Sequence, residues 1–311
     1  MILSFCFLVA GVLLLWVGSE GLVRSSETLA LRSGVSPLVT GLTVVAFGTS
    51  APELVASVVA ALTNSPDMAL GNVIGSNIGN IGLVLGIAAV VTPIVVHRHA
   101  VRVDAPIALL CTVVLIILLL MGDLGRLEGI VLVVGILIYT VVRIRNSRSL
   151  DTVLSEEVKE HTLDVPNPTL YAILIGSLIG LTGGAFLFVQ GAKALAEHMG
   201  VSEAVIGLTI MAVGTSLPEI ATVIAAARKG LSDLVIGNVI GSNIFNILSV
   251  LGVTSVIVPL HRQNVHNVDL FVFGGSAVIL LGMMMRPKIG RLMGALLIAG
   301  YVAYVVYLYV Q

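Results

Sequence analysis

The chain has 311 residues, a formal net charge of −1 and only 11% charged residues, with a mean hydropathy of +1.10. Soluble proteins carry about 25% charged residues, and so few cannot cover a fold of this size in water. The near-neutral balance gives no sign of a nucleic-acid partner. An integral membrane protein remains.

The first run, "MILSFCFLVAGVLLLWVGSE", has no Lys or Arg ahead of it. A secretory leader has a positive n-region and a small-residue cleavage site, so this run is predicted to be a retained first helix. Apolar windows between charge and turn clusters then predict ten spans: 2–22, 37–63, 67–92, 103–121, 127–145, 168–194, 203–227, 233–258, 267–285 and 289–309. Glu20 and Glu27 fall near the end of the first span, where an interfacial role suffices. Asp67 and Ser232–Asp233 precede spans three and eight and are predicted to cap helices. Cys6 and Cys111 sit inside apolar runs as filler, with no disulfide or metal framework. "HRH" at 97–99 is expected to be an interfacial cluster.

Between spans five and six lies the one sizeable polar stretch, "NSRSLDTVLSEEVKEHTLDVPN" (146–167). Its Glu156, Glu157, Glu160 and Asp164 read as a solvated acidic linker. A regulatory cation site is the alternative, but the stretch is too short for a folded regulatory domain. The loops on the N-terminal side hold 3 of the 16 Lys and Arg residues, and the opposite side holds 13. By the positive-inside rule both termini face outside and the linker is cytoplasmic.

The chain also repeats itself. A shift of 166 residues lays "GLTVVAFGTSAPELVAS" from Gly41 over "GLTIMAVGTSLPEIATV" from Gly207. The same shift lays "DMALGNVIGSNIGNIGLVLG" from Asp67 over "DLVIGNVIGSNIFNILSVLG" from Asp233. The register runs without a gap from Gly41 to Pro93, with about half the positions identical. Each copy holds five spans, an odd number, so the second enters the membrane from the opposite face. The predicted organisation is an all-α membrane protein with two inverted five-helix repeats, 1–145 and 168–311, joined by the linker 146–167. Such transporters bind their substrate at mid-membrane where the repeats meet.

An acid deep in a bilayer is costly and marks function by default. Glu53 and Glu219 fall near the middles of spans two and seven. Pro52 and Pro218 lack an amide hydrogen, so each frees the carbonyl four residues back, on Gly48 and Gly214, and kinks its helix. Thr49, Ser50, Thr215 and Ser216 add hydroxyls. Carboxylate, hydroxyl and freed carbonyl are hard oxygen ligands, suited to Ca²⁺ or Na⁺ and poorly to zinc or copper. In "GNVIGSN", Gly71, Gly75, Gly79, Gly237 and Gly241 recur at the spacing that lets helices approach closely. Ser76 and Asn80, like Ser242 and Asn246, share a helix face at i, i+4 and can present oxygens to the Glu-bearing helices. Asn72, Asn77, Asn238 and Asn243 are expected to satisfy backbone groups at the crossings.

The paired "GTSxPE" and "GNxxGSN" motifs resemble those of the cation/calcium antiporters, specifically the prokaryotic sodium/calcium exchanger branch, over nearly the whole chain. The resemblance implies that Glu53 and Glu219 are central ligands shared by Ca²⁺ and Na⁺. It implies that Thr49, Ser50, Thr215 and Ser216 bind through hydroxyl or backbone oxygens. The carbonyls of Ala46 and Ala212, with Ser76 and Ser242, would complete flanking Na⁺ sites, and Asn80 would be a central polar ligand. Several members carry Asp where this chain has Asn246, leaving two formal negative charges here instead of three.

The function expected is Na⁺/Ca²⁺ antiport by alternating access in a prokaryotic plasma (inner) membrane, with spans one and six sliding against the repeat core. The ions are substrates; no cofactor and no obligate protein partner is expected. Exchange against H⁺ or K⁺, or of another divalent, is the nearest alternative. A channel and an intramembrane acid protease are further classes. The single charged centre argues against the first, and the absence of a nucleophile or water-activating metal argues against the second.

Overall fold

The computed structural model describes residues 2–63, 65–96, 98–147, 162–199, 212–262 and 265–310. Glu156, Glu157, Glu160, His97 and residues 203–211 of the seventh predicted span lie outside them, as do the side chains of Arg98, His99 and Ala212.

Helix α1 (Ile2–Ser33) is 32 residues long, so it runs about 48 Å, well beyond the hydrocarbon thickness of a bilayer. It ends at Gly34, whose φ of 64° is the left-handed conformation that closes helices. The predicted end at residue 22 is therefore too early. Beyond that point Arg24 and Arg32 stay exposed on the helix surface, and Glu27 is taken inside the protein.

The second predicted span is broken. It comprises α2 (Pro37–Thr40), a π-turn over Gly41–Val45, α3 (Ala46–Thr49) and α4 (Ala51–Leu62). The third is α5 (Pro66–Gly79), a π-turn over Asn80–Val84 and α6 (Leu85–Val91). α7 (Arg98–Met121) and α8 (Arg126–Ser147) follow.

The second half begins with α9 (Asn167–His198) and continues with α10 (Ala212–Gly214), α11 (Leu217–Arg228) and α12 (Ser232–Phe245). A π-turn over Asn246–Leu251, α13 (Gly252–Ile257), α14 (Asn267–Met284) and α15 (Arg291–Val310) complete it. Among the described residues, eight helices are long and apolar enough to cross a bilayer, or nine if the broken Pro37–Leu62 pair counts as one.

Glycine sets the closest approach. An added Cβ on Gly11 would stand 2.6 Å from Phe188 N, one on Gly184 2.9 Å from Leu15 N, and one on Gly191 2.7 Å from Ser4 O. So α1 and α9 pack backbone to backbone along their length, as small residues allow in a membrane. Their ends are also tied. Arg32 donates to Asn167 Oδ1 (2.7 Å) and Val165 O (2.6 Å), and Leu163 N donates to Thr28 Oγ1 (2.8 Å).

The stripe in the two GNVIGSN copies behaves differently from expectation. A Cβ on Gly237 would meet Leu38 O at 2.4 Å and one on Gly241 would meet Leu42 O at 2.7 Å, so these two are packing glycines. Among the described residues, a Cβ on Gly71 or Gly75 would meet nothing within 4 Å.

The halves clasp each other through short extended segments. β1 (Ile94–Val95) pairs antiparallel with β2 (Lys288–Ile289), and Leu124 and Leu260 exchange backbone hydrogen bonds of 2.9 and 3.0 Å. The 166-residue shift carries Ile94 onto Leu260, so each half makes the same clasp on the other. Ser232 serves this clasp. Its Oγ accepts from Val95 N at 3.0 Å and makes no helix cap, while Asp67 and Asp233 lie within the first turns of α5 and α12, where the helix dipole favours their charge.

Candidate cation site

The GTSxPE sequence builds more than a kink. α3 stops at Ser50 and α4 starts at Ala51, with a 42° bend between them. Pro52 sits at the second position of α4, where no intrahelical amide is needed. The break creates a new helix N-terminus, and Glu53 lies in its first turn. The second copy repeats this: α11 starts at Leu217, with Pro218 at its second position and Glu219 in its first turn. Ser50 and Ser216 share one conformation, φ −86° with ψ of 5° and 3°. The positive ends of two helices therefore face the two carboxylates and stabilise their charge.

The copies differ in one bond. Ser50 N reaches back four residues to Ala46 O (3.0 Å), whereas Ser216 N reaches back three to Val213 O (3.1 Å). The Ala212 carbonyl is thus relieved of the amide that occupies its counterpart.

Glu53 and Glu219 are each only 1% exposed. The Ser50 hydroxyl donates to Glu219 Oε1 at 3.3 Å. Thr49 Oγ1 donates to Asn238 Oδ1 at 3.3 Å, and Ser242 Oγ donates to the same oxygen at 3.3 Å. Asn80 Nδ2 donates to Asn243 Oδ1 at 3.2 Å. Asn72 Nδ2 braces the first break from behind, donating to Glu53 O (3.2 Å) and Ser57 Oγ (2.9 Å). Three of these contacts, Ser50–Glu219, Thr49–Asn238 and Asn80–Asn243, join residues of the two sequence copies.

What stays unpaired defines the chemistry. Glu53 Oε2, Glu219 Oε2, Asn80 Oδ1 and both polar atoms of Asn246 are buried without a hydrogen-bond partner. Ser76 and Ser216 are buried and Thr215 half-buried, and none makes a side-chain hydrogen bond among the described residues. A buried polar group left unsatisfied costs about 1–3 kcal/mol, and an isolated charge more. Oxygen-rich, doubly anionic and unsatisfied, this centre suits a hard cation. No group of three or more His, Cys, Asp or Glu occurs among the described residues, which leaves Glu53 and Glu219 as its acids.

α9 covers the site: Leu178 lies over Gly48 and Val189 over Gly214, so closely that an added Cβ would collide with either. A cavity of about 280 Å³, lined by Asp67, Asn72, Gly75, Asp269 and Tyr304, leads to Ser76.

Asn238 and Asn243 are in the centre, although the sequence assigns them to backbone satisfaction. Their repeat partners Asn72 and Asn77 bond Glu53 O, Ser57 Oγ and Val73 O instead, so the register gave no signal that separates them. Asn77 fits the expectation, with Nδ2 donating to Val73 O at 2.7 Å. Cys6 and Cys111 are free thiols.

A multi-pass helical membrane protein with a buried oxygen centre between two copies of one motif is built as a secondary transporter. The chain belongs to the sodium/calcium exchanger protein family, whose model matches residues 3–145 and 169–310. It is 37% identical to the inner membrane protein YrbG of Escherichia coli, covering 99% of this chain and 98% of that one. It is 31% identical to the sodium/calcium exchanger MaX1 of Methanosarcina acetivorans, covering 98% of each. Its fold matches the solved structure of the sodium-calcium exchanger NCX_Mj soaked with zero Na⁺ and Ca²⁺, with a TM-score of 0.86, 36% identity and 98% coverage of both chains. The family is one of exchangers, not of enzymes.

Proposed function

We propose that this protein exchanges Na⁺ for Ca²⁺ across a cell membrane by alternating access, normally extruding Ca²⁺ on the inward Na⁺ gradient. The observation that carries the reading is the pair of buried carboxylates, Glu53 and Glu219, each with an oxygen left without a partner. Two negative charges balance one Ca²⁺ or two Na⁺. Left empty, they are two uncompensated charges in low dielectric, so the centre crosses loaded and exchange replaces leak.

In this reading Thr49, Ser50, Thr215, Ser216, Asn80 and Asn246 surround the central ion. Ser76 and Ser242, with the carbonyls of Ala46 and Ala212, hold flanking Na⁺. The ten spans form two inverted repeats, 1–145 and 168–311, with both termini outside and residues 146–167 cytoplasmic. Arg and Lys distribution supports that orientation, and the cross-copy hydrogen bonds support a shared centre.

The test is ⁴⁵Ca²⁺ uptake into proteoliposomes loaded with Na⁺. Uptake that needs the Na⁺ gradient and vanishes in Glu53→Gln is expected. Intact uptake in that variant, or uptake that follows K⁺ or H⁺ and ignores Na⁺, overturns the assignment.

A further inference from the structure

One buried acid is used by nothing described so far. Glu27 is fully buried in α1, and neither carboxylate oxygen has a hydrogen-bond partner; the neighbouring Ser26 hydroxyl is buried and unpartnered too. An unpaired carboxylate inside a membrane protein is expensive enough to need a reason.

Glu20 supplies the comparison. It lies seven residues, or two helical turns, earlier on the same helix, and positions i and i+7 share a face. Its Oε1 accepts from Lys229 Nζ at 2.6 Å and from Arg24 Nε at 2.7 Å. Lys229 closes the C-terminal end of α11, the helix that begins at the Glu219 break and packs against α1. Arg24 rides on α1 itself, so it keeps its place whatever α1 does. Lys229 belongs to a different body.

We infer that Lys229 alternates between two carboxylate berths on α1, Glu20 in the arrangement seen here and Glu27 in the other access state, so that the three residues index the sliding of α1 past the ion-binding helices. The step is seven residues, about 10 Å along the helix axis. α9 must travel with α1, because glycine packing and the Arg32 tie join them. In the register seen here Lys229 pairs with Glu20 and Glu27 is bare; in the other Lys229 pairs with Glu27 while Arg24 alone holds Glu20, which makes two discrete resting positions out of a smooth slide. Lys229, Glu20 and Glu27 are positioning residues that touch no transported ion.

This rests on the alternating-access reading, and a distance measurement separates the two. In a Cys111→Ala, Leu127→Cys background, spin labels on Cys6, exposed on α1, and on position 127, 70% exposed on α8, report the slide by double electron–electron resonance. The parent protein is expected to show two distances. Glu27→Gln is expected to hold the one belonging to the register seen here, and Glu20→Gln to enrich the other. Each should slow exchange roughly 5- to 30-fold, while Lys229→Arg keeps both distances and near-parent exchange.

Opposite shifts from two isosteric substitutions on one helix are not what loss of stability produces. Unchanged distances in both variants, shifts in the same direction, or a swing of Lys229 with a single fixed distance overturn the inference while leaving the exchange reading intact. A parent protein that shows two distances but no Na⁺-driven Ca²⁺ uptake overturns the exchange reading instead.

Discussion

The Ser50 hydroxyl donates to Glu219 Oε1 across 3.3 Å, although 169 positions separate them in the chain. The hydroxyl of one motif copy thus serves the carboxylate of the other, and neither copy makes the centre alone. A hydrogen bond to a charged group is worth about 1.5–3 kcal/mol. Ser50→Ala is therefore expected to weaken apparent ion affinity by about 10- to 100-fold. The concentration dependence of Ca²⁺ uptake checks it.

Glu219→Gln separates stability from function. In ion-free detergent the native protein keeps two carboxyl groups buried, each with an unpartnered oxygen, so replacing one by a neutral amide is expected to raise the melting temperature. Bound ion stabilises the native state by mass action, about 2.7 kcal/mol at 100 times Kd. That gain should appear in the parent on adding Ca²⁺ and be absent in Glu219→Gln. A thermal unfolding series with and without Ca²⁺ reads both effects.

Glu53 and Glu219 are legible from sequence because an acid in a long apolar run has few physical excuses. Pro52 and Pro218 announce a lost helix bond, but whether a kink or a full break follows depends on what packs into the gap. The π-turns that begin at Asn80 and Asn246 leave no such mark, since packing sets the extra residue per turn. Asn238 and Asn243 are asparagines at helix crossings like Asn77, and only the partner helix tells them apart. Glu27 looks interfacial while the first span ends at residue 22. Once α1 runs to Ser33, the same residue is deep in the protein.

The two glycine stripes should respond oppositely to one substitution. Gly237→Ala puts a Cβ 2.4 Å from Leu38 O, backbone that cannot move aside, and should cost about 1–3 kcal/mol. Gly71→Ala, its repeat partner, meets nothing within 4 Å among the described residues. Alanine favours a helix over glycine by up to about 1 kcal/mol, so this variant should unfold no earlier than the parent. Parallel melting curves decide.

Asn246 is fully buried and neither polar atom has a partner, so an added charge there is felt by the centre. Two unit charges 4 Å apart interact by about 4 kcal/mol at an effective dielectric of 20. After desolvation takes its share, Asn246→Asp is expected to tighten apparent Ca²⁺ affinity about tenfold or more. The Ca²⁺-loaded centre would then carry a net negative charge, so exchange should slow and acquire a dependence on K⁺ or H⁺. Uptake measured against Ca²⁺ with K⁺ and pH varied independently shows whether it does.

Away from the ion centre, Arg143 Nη2 donates to Asp104 Oδ2 at 2.8 Å and Tyr139 OH donates to Asp104 Oδ1 at 3.0 Å. Asp104 and Arg143 are buried to 0% and 5% side-chain exposure. The second half has the same Asp–Tyr spacing of 35 residues, with Tyr304 OH donating to Asp269 Oδ1 at 2.9 Å, but Leu308 stands where Arg143 would fall. Breaking a buried pair by removing one partner costs about 3–5 kcal/mol, whereas replacing both with apolar residues is close to neutral. Arg143→Leu alone is therefore expected to lower the melting temperature. Asp104→Leu with Arg143→Leu should recover most of the loss, short of it by the orphaned Tyr139 hydroxyl. Melting temperatures of the single and double variants, with Tyr139→Phe added to the double, test each step. If the double variant is no better than Arg143→Leu, the pair acts through something other than its charge.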